Sequence, residues 1–115
     1  MMRKELIHNV LGTPYTIEFG DRNEIVIDDS NLGECKVYKK KILICTEKYD
    51  CDEMELEERT QEILAHEIFH AYANEAGLDL DDRTEEMIAS FFMKNWRKIN
   101  DSILEILDVT GFLDK

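Results

Sequence analysis

Read as a string of apolar and polar positions, the chain changes period near its middle. Up to residue 46 the apolar residues come in short runs. Tyr15-Thr16-Ile17-Glu18-Phe19 and Glu34-Cys35-Lys36-Val37-Tyr38 alternate, as strands with one covered face do. Glu24-Ile25-Val26-Ile27-Asp28 reads as a further short strand, and residues 41–46 as a returning one. Leu11-Gly12-Thr13-Pro14, Gly20-Asp21 and Asn31-Leu32-Gly33 carry turn signals, and Lys39-Lys40 a tight reversal. Residues 1–10 read as a short helix or a lead-in strand. The expectation is a small antiparallel sheet of three to four strands.

Beyond residue 50 the period becomes helical. Asp52-Glu53-Met54-Glu55 fits a capping box, and the helix it opens runs towards Ala76, with Gly77 as a left-handed stop. Asp82-Arg83-Thr84-Glu85 fits a second capping box, for a helix over residues 84–99. Asp101 opens a third helix, over 102–109, ended near Gly111. Met87, Phe91, Phe92 and Trp96 read as core. Strands first and helices afterwards predict an α+β fold with the helices on one face of the sheet. At 115 residues the chain makes one domain, residues 1–115.

The candidate chemistry lies in the first helix, at His66-Glu67-Ile68-Phe69-His70. Residues four apart lie one turn up and about 40° round, so both imidazoles share a face. That spacing lets both bind one metal ion, while Glu67 reaches a water on it as a base and not as a ligand. Ile63, Leu64, Ala65, Ile68, Phe69, Ala71 and Tyr72 cover most other directions of the helix, which predicts a buried one. Buried His and Glu side chains left unpaired cost roughly 1–3 kcal/mol each, and a metal with its water satisfies them.

A catalytic zinc site takes three protein ligands and keeps one open position. Glu85 and Glu86, in the first turn of the second helix, compete for the third place. The helical wheel puts Glu85 on the stripe of Ile88, Ala89, Phe92, Trp96 and Ile99. If Glu85 reaches back to cap its helix, Glu86 is the one free for metal. Ala89 lets this helix approach the first, and Ser90 is placed to hydrogen-bond a ligand histidine.

With these residues the chain resembles a small gluzincin-type zinc metallopeptidase, in particular the ImmA/IrrE family and related phage and mobile-element peptidases. Those pair H-E-x-x-H with a glutamate on the next helix, then a small residue three later and a polar one four later. Glu86, Ala89, Ser90 and Phe92 fit that order, although the family often has Asn or Asp where Ser90 stands. The resemblance covers roughly residues 40–99. It implies a minimal zincin-like fold, one Zn²⁺ on His66, His70 and Glu86, and intracellular endopeptidase activity with Glu67 as general base. In several relatives the substrate is a repressor protein. Tyr49 and Tyr72 are candidate donors to the oxyanion that peptide hydrolysis develops.

Charge and cysteines narrow the partners. Fourteen basic residues against 26 acidic ones give a net charge of −12, which opposes binding to phosphate backbones. A protein or peptide is the expected partner, with no nucleic acid and no membrane. Lys39-Lys40-Lys41 reads as a solvated turn. Cys35, Cys45 and Cys51 have no paired spacing, and no apolar leader run precedes them, which points to the cytoplasm. Cys45 reads as a small buried apolar residue, and His8 as structural or exposed. The rival class is a catalytically silent metal-binding or acidic protein-interaction module on the same fold. A mere scaffold has no need of Glu67.

Overall fold

A computed structural model describes residues 3–111. It is α+β: four strands, β1 (Lys4–Val10), β2 (Thr13–Gly20), β3 (Gly33–Lys36) and β4 (Lys41–Cys45), precede two helices, α1 (Glu53–Glu75) and α2 (Asp82–Thr110). Residues 3–10 are thus mostly strand; Met1 and Met2 lie outside the described residues.

The sheet has the order β1-β2-β4-β3 and is mixed, which corrects the all-antiparallel expectation. β1 and β2 form a tight hairpin. Leu11 and Gly12 both have positive φ, and the Gly12 amide donates to the Asn9 side chain at 2.7 Å. Such two-residue turns suit the strand twist of hairpins. β3 and β4 form the second hairpin, reversing through Lys40 at φ 53°. β4 then lies parallel to β2, pairing Ile17 with Ile42 and Phe19 with Ile44. The reason is composition. Ile42, Leu43, Ile44 and Cys45 are all buried, and an unbroken apolar run belongs at a sheet's centre, covered on both faces. Seating β4 inside leaves the shorter β3 at the edge. The short strand expected at 24–28 does not form; that stretch is turn and irregular chain, with Ile25 buried and Val26 exposed.

α1 packs on the face that carries Tyr15, Ile17, Ile42 and Ile44, and adds Ile63 and Ala71 to their core. Its N-cap is Asp52, which accepts from the Glu55 amide at 2.8 Å. Gly77, at φ 69°, turns the chain after Ala76. α2 returns along α1 and is capped by Asp81, one residue earlier than its sequence suggests, with the Thr84 amide donating at 2.8 Å. Ala89 is fully buried and lets the two helices approach.

Two expectations about α2 fail. It is one helix as far as Thr110, with no break at Asp101. No proline or glycine interrupts residues 99–103, and Ile99 and Ile103 keep the same helical phase across the polar stretch. Met87 and Phe91 are exposed, and Phe92 and Trp96 only half-buried, because α2 has a helix on one side and no second layer.

Candidate metal centre

His66 and His70 stand one turn apart on α1, with their Nε2 atoms 3.3 Å apart. Glu86, from the first turn of α2, closes the third side. Its Oε1 lies 2.8 Å from His70 Nε2 and its Oε2 3.1 Å from His66 Nε2. One ligand atom from each of the three residues falls within 4.8 Å of the other two, so the group can hold a metal ion. Glu86 itself remains substantially exposed, which keeps the centre open to solvent.

Glu85 has a different place. Its Oε2 lies 2.5 Å from the Nδ1 of His70, and it does not reach back to cap its helix. Consecutive helix residues point about 100° apart, so these two acids address the two nitrogens of one ring. A carboxylate accepting from Nδ1–H sets the tautomer of a histidine and bares Nε2 as an electron-pair donor. Burial lowers the pKa of His66 and favours its neutral form, against the pull of Glu86. Two imidazole nitrogens and a carboxylate then converge on one point. That donor set fits a divalent ion: nitrogens bound tetrahedrally at ~2.05 Å lie about 3.3 Å apart.

Glu67 is not part of the cluster. It points from α1 towards the sheet edge, where Gly33 of β3 crosses directly over it. A Cβ on Gly33 would meet Ile63 Cγ2 at 2.5 Å and the Glu67 carboxylate at 2.9 Å. The glycine is therefore what lets the edge strand close over this acid. Glu67 is 8% exposed, and burial pushes its carboxyl pKa up to about 7, the His70 ring opposing and Glu86 adding to the rise. A carboxylate so placed is a stronger base than a solvated one.

These side chains line a single cleft of about 580 Å³, together with Asp28, Gly33, Glu34 and Cys35. Burial, with Glu67 and Glu85 nearby, pushes the Cys35 thiol up to about 12, so it is protonated at neutral pH. Cys45 is fully buried, as its apolar setting suggests, and all three cysteines are free. His8 is exposed on β1.

Sequence reasoning missed Glu85's role and the part played by Gly33, which reads as turn rather than strand. Ser90 makes no hydrogen bond to either histidine; Glu85 takes the position at His70 instead. Tyr49 and Tyr72 line no part of the cleft. The Tyr49 hydroxyl accepts from Arg22, and the guanidinium groups of Arg22 and Arg59 lie near its ring. The lysine cluster is engaged in the fold: Lys40 pairs with Glu75 at 2.8 Å and Lys41 with Glu18 at 3.3 Å. Among the described residues no helix is long and apolar enough to cross a membrane. No protein-family model, curated protein or solved structure matches the chain.

Proposed function

We propose that the chain is a zinc-dependent endopeptidase of the gluzincin type, related to the ImmA/IrrE peptidases. The observation that carries this reading is the convergence of His66 Nε2, His70 Nε2 and the Glu86 carboxylate beside a buried, non-ligating Glu67. A structural metal site has no use for an acid held next to the metal but outside its ligand set.

His66, His70 and Glu86 would hold the ion, and Glu85 fixes the His70 ring from behind. When bound, Zn²⁺ supplies a Lewis acid that makes water a nucleophile near pH 7 and polarises a peptide carbonyl. Glu67 takes the proton of the attacking water and passes it to the leaving amine. β3 is an edge strand, and Gly33, Glu34 and Cys35 line the cleft. An extended substrate segment adds to that edge by backbone hydrogen bonds and passes Glu67. The substrate on this reading is an intracellular protein, and the ImmA/IrrE kinship extends it to a regulator such as a repressor.

Glu67→Gln tests the assignment. The variant retains about one zinc per chain by elemental analysis, and peptide hydrolysis falls by about 10²–10⁴-fold, the usual share of a general base. Proteolysis at the wild-type rate would sink the role of Glu67. Purified protein that takes up no metal would favour the docking-module reading.

A further inference from the structure

The cleft does not end at the metal centre. Past Gly33 a second hollow of about 330 Å³ continues it, and Asn31, Gly33, His66 and Glu67 line both. The two halves differ in chemistry. Leu32, Ile63 and Met93 wall the second half, where Glu67 is the one acid among the described residues. The first half is lined by five carboxylates, Asp28, Glu34, Glu67, Glu85 and Glu86, and among the described residues by no lysine or arginine. A divalent ion on His66, His70 and Glu86 offsets two of those charges, so this half stays anionic when loaded. Glu85 and Glu86 are engaged by the histidines. Asp28 and Glu34 form no ion pair among the described residues, unlike Glu18 and Glu75, which each meet a lysine. The Arg22 guanidinium is committed to the carbonyls of Asp28 and Asn31, at 3.2 and 2.9 Å, and bracing them it holds this wall of the cleft. The Asp28 amide donates to Glu34 Oε1 at 2.7 Å, which ties the two acids together. Glu67, more than nine-tenths buried, lines both halves and has no hydrogen-bond partner among the described residues. Buried polar groups are normally paired, so a partner for it arrives with what enters the cleft.

We propose that the anionic half selects a substrate with a lysine or arginine beside the bond to be cut, recognised by Glu34 and Asp28. The inference rests on the peptidase reading above. Edge pairing sets the register. Gly33 lies over Glu67, so the bond to be cut passes there, and the next position along β3 is Glu34. A strand added to β3 places a side chain directly across from Glu34 on the same face. Opposite charges so placed attract, and like charges repel. Asp28, bound to Glu34 through its amide, adds a second carboxylate for the same cation. On the other side of Gly33 the walls are Leu32, Ile63 and Met93, which suit an apolar side chain. The preference for a cation therefore belongs to one side of the cut bond. The net charge of −12 draws a basic segment in from further away.

Digestion of a library of unstructured peptides by the zinc-loaded chain, with products read by mass spectrometry, tests it. Cuts fall beside lysine or arginine, with the cation always on the same side. A lysine peptide exceeds its norleucine counterpart several-fold in kcat/KM, and the ratio shrinks as salt screens the charges. Glu34→Gln and Asp28→Asn each lower that ratio, and Glu34→Lys reverses the preference in favour of a glutamate peptide. Hydrolysis with no preference for a cation overturns the proposal and leaves the peptidase reading standing. So does a preference that neither Glu34→Gln nor Asp28→Asn changes. A zinc-loaded chain that cuts no peptide overturns the peptidase reading itself, and the substrate class with it.

Discussion

One imidazole, that of His70, is held from both sides by adjacent acids, and the two contacts are not equivalent. Glu86 shares the side on which His66 converges, whereas Glu85 holds the ring through Nδ1. Removing a carboxylate that orients a ligand histidine typically weakens metal affinity 10–100-fold. Glu85→Ala should fall in that range in a competition titration against a chelator, and Glu86→Ala should lose far more. Equal losses would mean that both acids are ligands. His66, Glu67 and His70 were legible in the sequence because helical spacing alone fixes their relation. Helical spacing did not decide between the two glutamates: the family resemblance pointed to Glu86, which does join the two histidines, while the contact of Glu85 with His70 was not foreseen. Their roles turn on the phase of α2 against α1, and the cap that sets it is Asp81 rather than Asp82. With the cap one residue earlier, Glu85 has no capping duty and is free for His70.

At the scale of elements, β3 and α1 meet where a side chain is missing. Gly33 leaves room for Ile63 and Glu67, and a methyl group there overlaps both. Overpacking of this kind costs about 1–3 kcal/mol. Gly33→Ala should lower the urea midpoint accordingly, and should reduce peptide hydrolysis more than metal affinity, because it displaces Glu67 and none of the ligands. An unchanged midpoint would show that the strand yields freely. The first helix and the alternating strand around Ile17 could be read from periodicity, whereas the continuity of α2 through Asp101 could not. The mixed sheet could not, since strand direction depends on which strand takes the centre; the unbroken run Ile42-Leu43-Ile44-Cys45 was the available signal. The stripe of α2 was correctly phased, but phase does not say whether anything covers a helix. Met87 and Phe91 lie exposed for that reason.

At the scale of the molecule, one carboxylate ties three parts together. Glu75, in the last turn of α1, accepts from Thr13 at 2.6 Å and from Tyr15 at 2.7 Å on β2, and pairs with Lys40 in the β3–β4 turn at 2.8 Å. An acid at a helix C-terminus is otherwise disfavoured by the helix dipole, so these partners hold it there. The Lys40 ammonium and the two hydroxyls lower its pKa to about 2, from an ordinary 4.5. A depressed folded-state pKa means stability that is complete above the unfolded value and lost as pH falls towards the folded one. The difference in melting temperature between wild type and Glu75→Gln should therefore be largest near neutrality and shrink between about pH 4.5 and 2. A difference that stays constant with pH would remove Glu75 from the account.

The arrangement of the chain also sets an order of events. β1–β2, β3–β4 and α1–α2 are each pairs of sequence neighbours, whereas the parallel seam between β2 and β4 and the packing of α1 on the sheet join distant residues. Local pairs close early in folding and distant ones late. His66, His70, Glu85 and Glu86 all belong to the helical pair, while the cover over Glu67 comes from β3. On the peptidase reading proposed above, the three metal-binding side chains then come together within the helical pair, and the burial that raises the Glu67 pKa follows only when β3 closes over α1.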